Sequence, residues 1–489
     1  MSRLSLASPA TRRATWLACG LVIASSSLGA QALDRTKPPV LGTPKRLVLP
    51  VMRERTLANG LRLILVERHD LPVVDATLVV GAGSDAEPAG KGGLATLTAK
   101  LLDEGANGRA SLDIAEQQAF LGARLFTSAS FDQGALALHA PVAVLDSALT
   151  LLADVALRPA FETREFTRLR SERMTALLQE KDRGPAMADR AFAAITFGDA
   201  HPYGRNLSGT EAETESLTRD DVVAFWTAWY RPNNATLIIV GDVTVAGATA
   251  IAMRLFGGWQ KGTLPARPIV ATPATPTASR IYVVDKPAAA QSSFRVGGVG
   301  VARSTPDYYP LQVMNTVLGG SFTSRLNNNL RETKGYSYGV SSNFAMRRAV
   351  GPWIAGGEIV SAKSDSSLLE FMRELTAIRM AVPAAELEKA KRYLTLGYAD
   401  RFETTGDVAH GIAAVATLGI PLRALAEYQA KIDAVTVADV QRVATRYVDP
   451  ARLNIVISGD RKTLVPALEA LKVAPVEVRD LYGKRVATP

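Results

Sequence analysis

Cysteine is nearly missing from this chain, histidine is scarce, and no apolar run is long enough to cross a bilayer. The one cysteine is Cys19, so a chain that loses its first residues on export can form neither a disulfide nor a thiolate metal site. The four histidines are His69, His139, His201 and His410. None has a second histidine or a ligand carboxylate at the spacing of a helical zinc site, so each reads as a structural or solvated side chain. Lys and Arg are scattered among Asp and Glu, with no basic run and no interleaved aromatics, which argues against nucleic-acid binding. What remains is ordinary for a folded protein: 47% of residues are apolar and 21% charged. A length of 489 residues allows two large domains.

The first 32 residues have the grammar of an export signal: basic Arg12-Arg13, an apolar stretch from Trp16 to Ala24, then Ala30-Gln31-Ala32. Cleavage is expected after Ala32, which places the mature chain in a bacterial periplasm. The formal charge of +9 then falls to about +6, because Arg3, Arg12 and Arg13 leave with the signal. The apolar stretch is far shorter than the roughly 20 residues of a membrane span. A lipid anchor at Cys19 and twin-arginine export are weaker readings of the same segment.

Prolines punctuate the rest. Residues 33–52 carry Pro38, Pro39, Pro44 and Pro50 and are expected to form an extended lead-in. A second proline-rich stretch, Leu264 to Pro276, can sustain neither a helix nor an inner strand and marks a linker at 263–279. Across it the chain repeats. At a constant offset of 218, Thr218 matches Thr436, Asp221 matches Asp439, Val222 matches Val440, Pro232 matches Pro450, and Gly241-Asp242 matches Gly459-Asp460. Each copy reads as a capped helix, a proline stop, an aliphatic strand and a Gly-Asp turn. The strand pair Leu61–Val66 and Val73–Val80 is likewise echoed by Ile281–Val284 and Ser293–Val299. The predicted fold class is therefore α+β: two homologous domains at 53–262 and 280–475, each a mainly antiparallel sheet with helices packed on it, followed by a tail at 476–489.

The segment Gly92 to Leu102 reads as a helix with an apolar stripe of Leu94, Leu97, Leu101 and Leu102. The pattern from Gly93-Leu94-Ala95 through Glu104-Gly105 to Arg109 resembles the zinc-binding helix of the pitrilysin family, which includes insulin-degrading enzyme and mitochondrial processing peptidase. In active members that helix carries an inverted H-x-x-E-H signature. The resemblance aligns those positions with Thr96, Ala99 and Lys100, and puts the third ligand position at or next to Leu177. None of these can hold zinc, so no metal is expected in this chain. Glu180, on the helix predicted over Glu165 to Lys181, reads as a solvated face.

The second half keeps more. Leu318-Gly319-Gly320-Ser321-Phe322-Thr323-Ser324-Arg325-Leu326 leads through Arg331 to Gly335-Tyr336-Ser337-Tyr338. A helix from Leu326 to Lys334, ended by a left-handed Gly335, would put Arg331 and Tyr338 on one side. This stretch is similar to the family segment whose arginine and tyrosine reach across to the zinc site. The resemblance thus implies that Arg331 and Tyr338 are catalytic, steadying a substrate carbonyl. It also makes Gly319 and Gly320 a candidate substrate-binding loop, similar to the glycine-rich loop of the non-zinc subunit of mitochondrial processing peptidase. The strand Arg124–Asp132 matches the region where active relatives pair a substrate peptide as an added strand. The implied function is the non-zinc subunit of a heterodimeric metallopeptidase, with zinc in a homologous partner and a peptide or unfolded polypeptide as substrate. The other reading is a non-enzymatic pseudo-peptidase that binds peptides or scaffolds an assembly.

Overall fold

The computed structural model describes residues 47–267 and 271–486; the expected signal and most of the lead-in lie outside them. Two six-stranded sheets account for the two halves. In the first, the strands are β1 (Arg53–Thr56), β2 (Arg62–Glu67), β3 (Val73–Val80), β4 (Arg124–Ala129), β5 (Gly134–Pro141) and β6 (Ala235–Gly241), in the order β1-β2-β6-β3-β5-β4. In the second they are β7 (Arg280–Asp285), β8 (Gln291–Val299), β9 (Ser337–Phe344), β10 (Pro352–Val360), β11 (Asn454–Gly459) and β12 (Val476–Arg479), in the order β9-β10-β8-β11-β7-β12. The two orders superpose when one is read backwards. In each sheet the aliphatic strand before the Gly-Asp turn lies parallel to the first strand of the matching strand pair, β6 on β2 and β11 on β7. The segment expected as a tail supplies β12, which pairs in parallel with β7 and takes the place that β1 holds in the first half.

The repeat seen at an offset of 218 is structural. Thr218 and Thr436 each cap a helix and close a capping box with Asp221 and Asp439, satisfying backbone N–H groups that a helix start leaves open. Six helices carry the rest of the account: α1 (Leu94–Leu101), α2 (Leu145–Leu157), α3 (Thr163–Glu180), α4 (Gly184–Phe197), α5 (Tyr308–Leu318) and α6 (Thr405–Thr417).

One face of each sheet is covered by helices of its own half. The other faces are exchanged. Ile64, Val66, Val79, Ile238 and Val240 of the first sheet share a core with Val408, Ala409 and Ile412 of α6, a helix of the second half. Reciprocally, Met187, Ala191 and Phe192 of α4, a helix of the first half, pack on Tyr282, Val284 and Val456 of the second sheet. Alternation along the strands explains why: β2 and β6 are buried at successive positions, so both faces need an apolar cover. Because α4 packs mainly on β7, β8, β10 and β11, the edge strand β9 keeps alternate residues exposed.

Candidate functional site

The helix with the metal-site resemblance forms as expected. Gly93 precedes α1 with φ of +85°, a conformation suited to glycine. Leu94, Leu97, Leu101 and Leu102 are all buried. Ala99 is buried too, Thr96 is half-buried and Lys100 exposed. The surprise lies on α3: Arg173, one turn before the buried Leu177, reaches back to α1. Its Nη2 donates to the Thr96 hydroxyl at 2.8 Å, and its Nη1 donates to the Gly93 carbonyl. The same hydroxyl lies 2.9 Å from the Leu207 carbonyl. Burial lowers the Arg173 guanidinium, but only to about 10, so it is charged at neutral pH.

Zinc does not fit this arrangement. A fixed cation is bonded to the residue at the first ligand position, and the other positions hold a methyl, an ammonium and a buried leucine. Among the described residues no group of three His, Cys, Asp or Glu side chains is placed to hold a metal. The histidines are spread over separate surroundings: His69 pairs with Asp242 at 2.6 Å and His139 with Asp75 at 3.1 Å, while His201 accepts from the Tyr203 N–H at 2.9 Å. Glu180 is a correction to the sequence reading. It is not a solvated face, because its carboxylate accepts from Arg190 at 2.8 Å and from Asn206 at 3.1 Å, and only 23% of its side chain is exposed.

Beside Arg173 lies Glu87, buried and accepting from the Ala95 N–H at 2.9 Å. Burial pushes its carboxyl up to about 8, against the pull of Ala95, Arg205, Gly93 and Arg173. A raised carboxyl binds its proton more tightly in the folded chain than in the unfolded one. Its contribution is therefore complete below the unfolded value near 4.5 and is lost as pH rises toward 8. Glu87→Gln should flatten that decline, by on the order of 1 kcal/mol per pH unit between pH 5 and 8; urea midpoints of both proteins across the range measure it.

In the second half, residues Arg325–Asn327 are α-helical, but Asn328–Thr333 forms a wider π-helical turn where the sequence predicted a continuous helix. Gly335 closes it with φ of +65°, as predicted. The strand β9 then pairs with β10 through a bulge between Ser337 and Val340. A bulge re-aims side chains, and Tyr338, within it, is 87% exposed. The Val340 N–H freed by the bulge is taken by the side chain of buried Asn327 at 3.1 Å. Arg331 stacks its guanidinium over the Phe322 ring at 4.4 Å and lies 3.4 Å from Glu332. The two candidates flank one turn, yet no hydrogen bond joins them.

Gly319 and Gly320 have packing duties. A Cβ on Gly319 would lie 2.4 Å from the Ser342 nitrogen of β9, and one on Gly320 2.8 Å from the Asn315 amide. Both glycine N–H groups donate to the Asn315 carbonyl that ends α5. They fix the turn against β9; Gly319 is buried and Gly320 exposed. The strand β4 forms the free edge of the first sheet, with Phe126 63% exposed.

Family comparison agrees with this duplicated plan. Residues 62–211 match the family described as Insulinase (Peptidase family M16), and residues 216–394 match the Peptidase M16 inactive domain. The chain belongs to peptidase family M16. Among M16 relatives, an uncharacterized zinc protease of Mycobacterium tuberculosis is 29% identical over 295 residues, covering 59% of this chain and 66% of that one. The mitochondrial-processing peptidase subunit beta of Lentinula edodes is 24% identical over 422 residues, covering 81% of this chain and 88% of that one. A solved peptidase M16 inactive domain from Pseudomonas fluorescens superposes with a TM-score of 0.78 at 27% identity, covering 84% of this chain and 98% of that one. A protease from Helicobacter pylori, at 23% identity, shares the fold with a TM-score of 0.76. The M16 chain described here thus carries the α+β duplication of its family with a first-half centre remodelled around Arg173. Sequence reasoning missed Arg173, although its position four residues before Leu177 puts it on the same helix face.

Proposed function

We propose that this M16 chain is the non-zinc subunit of an exported, heterodimeric metallopeptidase. In this reading it lends Arg331 and Tyr338 to the zinc site of a homologous partner that degrades or processes peptides. The observation that carries the proposal is the contrast between the halves: an arginine bonded into the former metal centre, and a tyrosine held almost fully exposed by a bulge beside a stacked arginine. A phenol and a guanidinium are donors suited to a substrate carbonyl oxygen and to the negative charge that develops on it during hydrolysis. An exposed aromatic with no hydrogen-bond partner among the described residues is available for an intermolecular role. No helix among the described residues is long and apolar enough to cross a membrane. The proposal places the chain in the periplasm after cleavage at Ala32.

The test is reconstitution. Peptide hydrolysis is measured for this chain, for a homologous subunit bearing H-x-x-E-H, and for the mixture, with zinc determined by elemental analysis of each. Activity is expected only in the mixture, and zinc only in the partner. One zinc per copy of this chain, or cleavage by this chain alone on adding back a divalent ion, would defeat the proposal. A mixture that associates without hydrolysing leaves the scaffold reading.

A further inference from the structure

A cavity of about 440 Å³ lies where the two halves meet, lined by residues of α4, by the segment after it and by the second sheet. Its charge is unusual. Four arginines line it, Arg183, Arg190, Arg205 and Arg347, against two carboxylates, Glu180 and Asp189. Both carboxylates are already engaged, Glu180 by Arg190 and Asp189 by Arg295. Arg183, Arg205 and Arg347 have no ion-pair partner among the described residues. Arg190, Arg205 and Arg347 each also keep one buried nitrogen without a hydrogen-bond acceptor among the described residues. The nearest carboxylates acting on Arg205 and Arg347 are Glu87 and Asp132, neither of which forms an ion pair with them, so the cavity wall carries an excess of positive charge open to an anionic ligand.

The rest of the wall is apolar and aromatic. Arg347 is stacked 3.4 Å over the Phe131 ring and 4.5 Å from the centre of Tyr203, which holds its plane in place. Phe192, Ala193, Phe197, Leu207 and Ile354 are also on its surface. Ile354 also lines an open groove over β9 and β10 that runs to Tyr338.

We infer that this cavity is a binding site for a carboxylate attached to an apolar body, the carboxylate set against Arg205 and Arg347 and the body among the aromatic rings. Two sources share that chemistry: a free small carboxylic acid, and the C-terminal residue of a peptide whose preceding residues lie in the adjoining groove. The second rests on the peptide-handling role proposed above; the first does not. Pocket size suits either, since small-ligand sites run from about 300 to 1,000 Å³.

Binding is measured by calorimetry on the full chain without any partner, so the result is independent of hydrolysis. The probes are N-acetylphenylalanine, its amide, and a hexapeptide ending in phenylalanine as acid or amide. Each acid is expected to bind about 10-fold or more tightly than its amide, the size of one charge-assisted hydrogen bond, and Arg347→Gln should abolish the preference. A peptide acid that outbinds the single residue identifies the peptide source; equal affinities identify the small acid. Ala193→Phe, which fills the cavity and leaves every arginine, should abolish binding of both acids and guards against an Arg347→Gln protein that fails to fold. Equal affinity for acid and amide, no binding of either acid, or acid binding untouched by Ala193→Phe would overturn the inference.

Discussion

Tyr338→Phe is expected to lower kcat of the reconstituted pair about 100-fold, the usual cost of removing one donor to a developing oxyanion. That corresponds to about 2.7 kcal/mol of lost transition-state stabilisation. The change deletes a single oxygen from a side chain that is 87% exposed, so the fold should be indifferent to it, within about 0.5 kcal/mol. KM should move far less than kcat, because the donor acts on charge that exists only during reaction. Arg331→Ala should compound the loss, whereas Arg331→Lys keeps the charge but not the planar fork stacked on Phe322. An unaltered rate in Tyr338→Phe, with association intact, would remove the tyrosine from the chemistry.

The largest stability effect is expected at a residue outside either site. Asp154 of α2 is 1% exposed and accepts from Arg109 at 2.9 and 2.5 Å, from Asn107 at 3.2 Å, and from Arg158. This carboxylate binds the short hairpin after α1 to the helix behind the first sheet. Removing the shared acceptor in Asp154→Ala leaves Arg109 and Asn107 without it. A broken buried pair costs about 3–5 kcal/mol, and the lower end applies, since 26% of the Arg109 side chain and 55% of the Arg158 side chain still reach solvent. Arg158→Ala, removing only the exposed partner, should cost about 1 kcal/mol or less. Urea unfolding with an unchanged slope and a lowered midpoint reads both.

Local chemistry was legible in the sequence wherever a residue's own neighbours determine its role. The left-handed Gly335, the strands opening each half, and the threonine caps at Thr218 and Thr436, which the offset of 218 pairs, all follow from short-range rules. The fold class followed from that duplication. What the sequence concealed are matters of long-range placement. Arg173 was unread because its partner, Thr96, lies on another helix 77 residues away. The π-helical turn at Asn328–Thr333 escaped because apolar periodicity does not distinguish a turn widened by one residue. The arginine-lined cavity draws on α4, the loop after it and the second sheet, each side chain unexceptional in its own segment. Val476–Arg479 was taken for a tail because four half-buried residues carry too short a pattern to announce a strand.

The reciprocal cover of the sheets limits how the molecule can move. Each half surrenders a helix to its sibling, so prising the halves apart would strip α4 and α6 from their seats and bare two apolar floors at once. Any change in the angle between the sheets must therefore disturb both of these covers together.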